Sequence, residues 1–331
     1  MSSTMEQNRD DIETPPPTQP TPPTPPTPPT PPTQPTQPTP LLNTTFIIPI
    51  KVEHPDRYRN AKTVLSYLNH HFDTNVFIYE VVKVNKDHKP GDQVVSKLDF
   101  LPDLKNLSIT HWTTSTLDEP EFHRTKYLNI MLDEVETQVV CNYDIDVILE
   151  KQCYIDCENM LNKPVVRGDD GYLIPKGPVV IYPYKRAIDG AISVGVDFDL
   201  DAFREGGYST ETIKSDKSNF WYGRSNCGHC IFYNTQVYRH FWGENEQYIS
   251  YGPEDSERMI RFIKLEMYVK WLEPYEVYHF EHYRGRDSSW ANPAFKKNEE
   301  IHNTIQKMNK EQLVEYYSKL DYWKRYSHIG R

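Results

Sequence analysis

The sequence predicts an α/β protein in which helices flank a sheet, and three consecutive segments indicate this. Residues 44–50 (TTFIIPI) form a short apolar run typical of a buried strand. From Asp56 to His71 the apolar residues recur at helical spacing, and residues 75–84 are again rich in strand-forming residues. A strand, a helix and a second strand in this order are typical of parallel strands joined by a crossover helix.

Later segments continue the alternation of helices and strands. A helix is predicted from Glu121 to Glu136, followed by a strand from Thr137 to Leu149 that carries acidic residues towards its end. Ligands of open α/β sheets bind beyond the carboxyl ends of the strands, so we expect a ligand beside these acids. The remaining predicted elements are strands at 178–184, 226–234, 269–272 and 276–282, and helices at 254–266 and 293–323.

Residues 1–43 differ in composition from the rest of the chain and predict a disordered, proline-rich tail. Thr-Pro-Pro repeats run almost without interruption from Pro15 to Pro40. Proline fixes φ and removes a backbone donor, so this stretch favours polyproline II and has no apolar face to bury. We interpret it as a tether that is either inert, a ligand for an SH3-type partner, or a target for O-glycosylation. Residues 44–331 are assigned to a single domain.

Composition and charge exclude several classes of protein. The 331 residues carry a formal net charge of -10, which disfavours binding to a nucleic-acid backbone. No apolar run approaches the ~20 residues of a membrane-spanning helix, and the polar N-terminus does not resemble a signal peptide. The scattered cysteines favour reduced thiols. We therefore expect a cytoplasmic protein that has no transmembrane segment and binds no nucleic acid.

Asp144 and Asp146 form the first candidate site. On a strand, residues i and i+2 point to the same face, so both carboxylates are expected to project together. Adjacent carboxylates repel one another unless a cation or a proton joins them, and Mg²⁺ or Mn²⁺ commonly bridges such oxygens to phosphates. The alternative interpretation is a solvated strand end with no ligand.

Glu254 and Asp255 form the second candidate site, at the start of a predicted helix. Acids in a first turn ordinarily stabilise the helix dipole, and this is sufficient reason for their presence. The functional interpretation is that one of them acts as a general base and takes a proton from an attacking hydroxyl.

The segment from His279 to Arg286 (HFEHYRGR) is the third candidate. Its histidines could bind a metal and its arginines could hold a phosphate. On a regular strand His279 and His282 would face opposite ways, so a turn is needed for both to bind one ion. His282 is the favoured ligand, with His279 either a second ligand or a neighbour of the site.

Two further clusters allow weaker interpretations. Cys227-Gly-His-Cys230 resembles half of a zinc site, with Cys153 and Cys157 as the remaining ligands, but the spacing is not typical and a buried strand is favoured. Arg124 and its neighbours on the preceding helix are either surface charges or nucleotide contacts.

In their order along the chain, these motifs resemble glycosyltransferases of the GT-A type, and β-1,4-galactosyltransferases in particular. Residues 122–129 (FHRTKYLN) are similar to the family's F-N-R-A-K-x-x-N stretch, and residues 144–146 to its D-x-D. Residues 251–255 (YGPED) resemble W-G-G-E-D, and residues 282–284 with Asn292-Pro293 resemble the H-x-R and N-P tail. Ile48-Pro49 with Arg57 and Arg59 is similar to the first strand and loop, and Gly228 occupies the place of a small-residue strand.

The matching order extends from about Thr44 to Asn298, and more loosely to family 2 glycosyltransferases. The Thr-Pro-Pro tract also resembles chains from giant viruses.

The resemblance implies a fold, a reaction and a cofactor. The fold is a Rossmann-like mixed sheet flanked by helices. The reaction moves a sugar from a nucleotide-sugar, a UDP-sugar, to a hydroxyl of a glycan or glycoconjugate acceptor, with inversion. The cofactor is Mn²⁺ (or Mg²⁺). The loop from Trp242 to Gly252 is expected to close over the donor.

The resemblance also implies a role for each matching residue. Asp146 is the main metal carboxylate, Asp144 binds the metal or the donor ribose, and His282 completes the metal site. Asp255 is the catalytic base and Glu254 binds the acceptor sugar. The donor contacts are Pro49, Arg57, Arg59, Arg124, Asp144, Gly228, Tyr251 and Arg284.

Two alternatives remain open at this point. A sugar nucleotidyltransferase would also use paired acids and a metal, but it is expected to carry a Gly-rich first loop, and residues 51–55 (KVEHP) contain no glycine. A catalytically inactive scaffold would not need the acids, all of which are present. Tyr251 and Pro253 replace a Trp and a Gly of the family motif, so the donor sugar and the acceptor do not follow from the resemblance.

Overall fold

The computed structural model describes residues 37–85, 87–89, 92–163, 165–167, 173–186, 190–221 and 227–322. Residues 1–36 of the predicted tail lie outside the described residues. The first strand begins at Thr39 rather than at Thr44. Leu41 is buried in the core, and the hydroxyl of Thr74 donates to its carbonyl at 2.9 Å, which holds this part of the chain against the next strand.

Strands and helices alternate along the described chain. The strands are β1 Thr39–Lys51, β2 Phe72–Val82, β3 Leu107–Ser115, β4 Val139–Tyr143, β5 Val147–Leu149, β6 Val165–Arg167, β7 Leu173–Pro175, β8 Val180–Tyr182, β9 Ala191–Val194, β10 Phe220–Trp221, β11 Cys230–Asn234, β12 Val269–Trp271 and β13 Val277–Phe280. The helices are α1 Pro55–His71, α2 Arg124–Glu134, α3 Lys151–Leu161, α4 Leu200–Glu205, α5 Thr210–Ser215, α6 Thr235–His240, α7 Glu254–Lys264, α8 Phe295–Lys307 and α9 Lys310–Ser318.

The main sheet has the strand order β12-β8-β11-β4-β1-β2-β3. The pairs β4–β1, β1–β2, β2–β3 and β12–β8 are parallel, whereas β11 is antiparallel to both β4 and β8. Helices α1, α2, α3 and α6 pack against its strands. This arrangement confirms the predicted α/β fold with a mixed sheet flanked by helices.

A second, four-stranded sheet has the order β10-β9-β13-β5. Its presence corrects the prediction of one continuous strand from Thr137 to Leu149. The chain leaves the main sheet after β4, turns at residues 144–146, and joins the second sheet as β5, where Val147–Leu149 pair with β13. The amide of Asp144 donates to the carbonyl of His229 at 2.9 Å, a tertiary contact that ends β4.

The C-terminal segment differs from its prediction as well. The helix predicted at 293–323 is two helices, α8 and α9, because Asn309 forms a capping box with Gln312 and starts a new helix. None of the described helices is long and apolar enough to cross a membrane.

Candidate active site

A cleft of about 350 Å³ opens at the carboxyl ends of β1 and β4. The amino end of β11, the carboxyl end of β13 and the first turn of α7 reach the same edge. Every predicted metal, catalytic or donor-binding residue except Arg59 lines it, whereas the cysteines of the weaker zinc interpretation do not. The predicted residues that line it are Pro49, Arg57, Arg124, Asp144, Asp146, Gly228, Tyr251, Glu254, Asp255, His279, His282 and Arg284.

Asp144 and Asp146 lie in the turn between β4 and β5, so the same-face argument for a strand does not apply to them. Their carboxylates have different partners. Arg124 donates to Asp144 at 2.7 Å, and Arg57 donates to Asp146 at 2.6 Å. The turn therefore places the two acids beside different cations: Asp144 contacts Arg124 on α2, and Asp146 contacts Arg57 on α1.

Asp146, His279 and His282 form a group whose ligand atoms all lie within 4.8 Å of one another. His282 Nε2 is 3.1 Å from Asp146 Oδ2, and His279 Nε2 is 3.8 Å from Oδ1. Strand β13 ends at Phe280, and the change of direction after it brings both imidazoles to the same carboxylate. Asp144 is not part of this group, although the sequence predicted it as a ligand.

The other ring nitrogens orient the two imidazoles. His282 Nδ1 lies 2.8 Å from the carbonyl of Tyr283, so in the neutral ring it carries the proton and Nε2 has the lone pair. His279 Nδ1 lies 3.5 Å from Glu281, whose carboxylate also accepts from Ser193. Metal-binding histidines are commonly held in this way by a carbonyl or a carboxylate.

The charge of Asp146 is strongly favoured by its surroundings. Burial alone would raise its pKa, but a hydrogen bond from protonated His282 and the charges of protonated His279 and of Arg57 outweigh that cost and hold the pKa well below its usual range. When His282 is neutral with its proton on Nδ1, that hydrogen bond is absent, and the lone pair of Nε2 faces the carboxylate of Asp146, an arrangement that a cation between them satisfies. The residues present therefore fit a divalent metal.

The cysteines give no support to a zinc site within the part of the chain that the structure describes. Cys141, Cys153, Cys157 and Cys230 are buried free thiols, and Cys227 is partly buried. None of them belongs to the convergent group of metal-binding side chains found among the described residues. Burial raises the pKa of the Cys230 thiol, which disfavours the thiolate that zinc requires.

Glu254 and Asp255 occupy the first turn of α7, where the sequence placed them. Asp255 lies 3.0 Å from Arg258 and 3.6 Å from Arg124, and its side chain is about 31% exposed. Burial acts to raise its pKa, but the charges of Arg258 and Arg124 prevail and lower it. Arg124 thus joins the acid of α7 to Asp144 across the cleft floor.

Glu254 has a different environment from its neighbour. It is 92% buried, since only 8% of its surface is accessible, and its Oε2 atom has no hydrogen-bond partner among the described residues. Burial and the charge of Asp255 raise its pKa to about 8. At neutral pH its carboxyl group is therefore mainly protonated and able to donate a hydrogen bond.

Arg59 lies outside the cleft lining, and its guanidinium binds backbone instead. It donates to the carbonyls of Val196 at 2.9 Å and Glu281 at 2.8 Å. Asn60 donates to the carbonyl of Phe280 at 2.9 Å. These bonds from α1 hold the end of β13, and they fix the backbone immediately before His282.

The segment from Trp242 to Gly252, predicted as a closing loop, is a packed part of the domain. The side chain of Asn129 binds the backbone of Glu244 as both acceptor, at 2.8 Å, and donor, at 2.9 Å. Thr125 donates to the carbonyl of Tyr248 at 2.9 Å. Helix α2, which carries Arg124, therefore anchors this segment directly.

Sequence reasoning missed several residues that line the cleft. Lys51, at the end of β1, binds Asp287 at 2.6 Å and also pairs with Glu53. His229 is buried beside His279, with 5.6 Å between ring centroids, and adopts φ 70°. The sequence contained a signal for His229, because its neighbour Gly228 was already predicted to contact the donor. Lys51 and Asp287 are too far apart in sequence for any local pattern to pair them.

No protein-family model matches the chain, and no curated protein matches it either. Among solved structures it is similar to the catalytic domain of Drosophila β1,4-galactosyltransferase 7 in complex with xylobiose. The identity is 11% and the TM-score 0.39, over 81% of this chain and 82% of that one.

It is also similar to a mutant of that Drosophila protein in complex with manganese, UDP-Gal and xylobiose, with 10% identity and a TM-score of 0.36, over 70% of this chain and 65% of that one. S. aureus TarS is similar with 12% identity and a TM-score of 0.40, over 72% of this chain and 36% of that one.

Proposed function

We propose that this protein is a metal-dependent glycosyltransferase that moves a sugar from a nucleotide-sugar, a UDP-sugar, to a hydroxyl of a glycan or glycoconjugate acceptor. One observation carries the proposal. A single cleft gathers a cation-binding group, several arginines and an acid pair, which lie at or beside the ends of five separate elements, β4, β13, α1, α2 and α7. These are the parts that transfer from a diphosphate leaving group requires.

The donor diphosphate is assigned to the end of the cleft that holds the metal group. Asp146, His279 and His282 would hold the ion, and a set of one carboxylate and two imidazoles favours Mn²⁺ over Mg²⁺, which prefers oxygen ligands. When bound, the ion neutralises charge on the departing nucleoside diphosphate. Arg57 and Arg284 line the same end and supply further positive charge. Pro49 and Gly228 form wall segments that let the nucleotide approach the backbone.

The acceptor is assigned to the first turn of α7. Asp255 is ionised and partly exposed to the cleft, so it is the group that accepts the proton of the attacking hydroxyl. Glu254 is protonated at neutral pH and donates a hydrogen bond to the acceptor sugar. Two neighbouring acids whose pKa values are displaced in opposite directions are suited to separate roles. A single base acting opposite the leaving group gives inversion at the anomeric carbon.

Arg124 connects the two ends, since it contacts both Asp144 and Asp255. We assign it two tasks. It keeps Asp255 ionised, and it positions Asp144 for a polar group of the donor such as a ribose hydroxyl. A catalytically inactive scaffold would have no need for this continuous set of partly buried charges, whose separation from solvent is costly unless they are paired.

A donor-hydrolysis assay tests the proposal. A panel of nucleotide-sugars is incubated with wild type and Asp146→Ala, with and without Mn²⁺, and the released nucleoside diphosphate is measured. We expect Mn²⁺-dependent turnover of one donor, reduced more than about 100-fold in Asp146→Ala, because loss of a ligand exceeds the 10–100-fold cost of losing its supporting contacts.

Asp103→Ala is the matched control, because Asp103 is an exposed acid outside the cleft. Its turnover should equal that of wild type. Absence of turnover for every donor, combined with absence of calorimetric binding of any donor, would refute the transferase assignment in favour of the inactive scaffold.

A further inference from the structure

A buried ion pair, formed by Glu244 and Arg258, lies behind the acid end of the cleft. The accessible fraction is 1% for Glu244 and 0% for Arg258, and neither residue lines the cleft. Nε of Arg258 donates to one carboxylate oxygen of Glu244 at 2.7 Å, and Nη2 donates to the other at 3.0 Å. This two-point contact fixes the plane of the guanidinium group.

The third nitrogen of the same guanidinium bonds the proposed base. Nη1 of Arg258 donates to Oδ1 of Asp255 at 3.0 Å. Nη1 of Arg124 approaches the same oxygen from the other side of the cleft floor, at 3.6 Å. Because both cations lie on Oδ1, the second oxygen of Asp255 is left for the proton of an acceptor hydroxyl. The orientation of Asp255 therefore depends on the orientation of Arg258.

Glu244 is itself held by two further elements of the domain. The side chain of Asn142, on β4, donates to its carboxylate at 2.7 Å, and the hydroxyl of Tyr238, on α6, donates to it as well. The ring of Tyr238 stacks on Tyr233 of β11, with 4.0 Å between the ring centroids. The main sheet, α6 and α7 therefore meet at this carboxylate, which gives Arg258 a rigid support.

Stability alone does not account for this pair. The attraction between two buried charges often fails to offset the cost of removing them from water, and apolar residues of similar volume often stabilise a core at least as well. Arg261, one turn further along α7, is also buried, but it satisfies backbone by donating to the carbonyls of Phe241 at 2.6 Å and Gly243 at 2.7 Å. The hydrogen bonds of Arg258 to the described residues go to carboxylates instead.

Several other charged and titratable groups face Asp255 from the elements packed against it. They are Arg124 from α2, Asp144 from the turn after β4, Tyr182 and Tyr184 from the end of β8, Cys227 and His229 from the segment before β11, and Glu254 from α7 itself. Burial raises the pKa of Asp255, and the charge of Arg258, followed by that of Arg124, is the largest influence that lowers it.

We propose that Glu244 and Arg258 are positioning residues for the transfer reaction. Glu244 fixes the guanidinium of Arg258, and Arg258 in turn holds Oδ1 of Asp255, so that the other oxygen is presented to the acceptor hydroxyl. Neither positioning residue touches a substrate. The geometry of the base is then set from the protein core as well as from the cleft. This inference rests on the proposed transferase function.

Replacement of the pair by apolar residues tests the inference. Glu244→Leu/Arg258→Met removes both charges together, so neither is left buried alone, and Asn142 and Tyr238 keep the bond between them, at 2.8 Å. The thermal midpoint should remain close to that of wild type or rise. The kcat of sugar transfer should fall on the order of 10²-fold, as expected for a displaced catalytic group, while KM for the donor is unchanged.

The pH dependence gives a readout that a purely structural pair would not change. The acidic limb of the kcat profile should move to higher pH in the double variant, because Asp255 loses the cation that lowers its pKa most. Carbon-13 NMR of labelled aspartate side chains, with Asp255→Asn to assign the resonance, measures the same pKa without donor or acceptor. It should be higher in the double variant than in wild type.

Two single variants complete the design. Arg258→Lys keeps a positive charge but lacks the planar fork, so its kcat should stay below that of wild type. Glu257→Gln is the matched control, because Glu257 is also 1% accessible on α7 and pairs with Arg261, at 3.1 Å, rather than with Arg258. It should keep the wild-type kcat, pH profile and Asp255 titration, whatever the change in its thermal midpoint.

Four results would overturn the inference. They are a wild-type kcat and pH profile in the folded double variant, an Asp255 titration that is the same in both proteins, a wild-type kcat in Arg258→Lys, and an unfolded double variant, which would show that the pair serves the fold. Absence of sugar transfer in wild type would refute the transferase proposal instead. The NMR titration would still show whether the pair acts on Asp255.

Discussion

The two ends of the cleft both hold buried carboxyl groups, yet their surroundings shift the pKa of these groups in opposite directions. Asp146 has an exposed fraction of 4% and its pKa is lowered, whereas Glu254 has an exposed fraction of 8% and its pKa is raised to about 8. Burial acts on both in the same direction. The difference comes from partners, since Asp146 contacts Arg57, His279 and His282.

Glu254 receives no comparable compensation. Arg124 lowers its pKa, but the charge of Asp255 beside it acts the other way, and the cost of burial is larger than either. The comparison shows that depth alone does not decide the protonation state of an acid in this cleft. One end is arranged to bind positive charge, and the other to exchange and donate protons.

Asp255→Asn gives the largest expected effect at the acid end. The amide cannot accept a proton at neutral pH, so sugar transfer should fall on the order of 10²–10⁴-fold while donor affinity is retained. Initial rates of transfer and calorimetric titration with UDP measure the two quantities. Helix α7 should persist, because Arg258 keeps two bonds to Glu244, at 2.7 Å and 3.0 Å.

Asp103→Asn serves as the control for this substitution and should transfer at the wild-type rate. Full transfer activity in Asp255→Asn would show that Asp255 is not the base. It would also contradict the assignment of proton transfer to this end of the cleft.

Glu254→Gln tests the raised pKa of Glu254 through the pH dependence of KM for the acceptor. In wild type the carboxyl proton is lost as pH rises through about 8, so KM for the acceptor should rise above that pH. Glutamine is neutral throughout and still donates a hydrogen bond, so its KM should stay flat. Asp255 has a lowered pKa and remains ionised over the whole range.

The same group links stability to pH. The folded pKa of Glu254, about 8, lies above the ordinary value of 4.5, so its contribution to stability is complete below about pH 4.5 and is lost as pH rises to 8. Thermal midpoints should therefore fall less between about pH 5 and about pH 9 in Glu254→Gln than in wild type. Parallel curves for the two proteins would contradict the raised pKa.

Arg57 and Arg59 form a matched pair with a smaller expected difference. Arg57→Ala removes a cation from the cleft and should weaken UDP binding about tenfold, by analogy with other charge-assisted contacts. Arg59→Ala removes bonds to two carbonyls outside the cleft, which should lower the free energy of unfolding by about 1–3 kcal/mol with little change in UDP affinity.

Urea unfolding and UDP titration of both variants measure these effects. If Arg59→Ala weakened UDP binding as much as Arg57→Ala does, Arg59 would belong with the donor contacts that the motif resemblance implies.

Much of the fold was predictable, because periodicity and motif order depend on local sequence. Helices α1 and α7 begin within a residue of their predicted starts, and the candidate residues from Pro49 to Arg284, apart from Arg59, meet in one cleft. Short strands such as β9 and the helices between β9 and β11 were missed, since they are brief and rich in polar residues.

The remaining differences between prediction and structure share a tertiary cause. The apolar run from Thr137 to Leu149 reads as one strand, and only the contact of Asp144 with His229 and the pairing of β5 with β13 divide it. The motif resemblance implies a donor contact for both Arg57 and Arg59, and of the two only Arg57 lines the cleft. Which of two nearby arginines faces a site depends on how α1 packs, which local sequence does not reveal.

The contact between Asn298, a buried residue of α8, and Gly252 at the cleft rim has a mechanical consequence. Asn298 donates to the carbonyl of Tyr251 at 3.0 Å. It also accepts from the amide of Ile249 at 3.3 Å and donates to its carbonyl at 2.8 Å. Helix α8 and this part of the cleft rim are therefore joined by hydrogen bonds on both sides of Ser250. A partner that bound α8 and displaced it would move Tyr251 as well, so binding at the surface of this helix would alter the cleft without contacting the substrate.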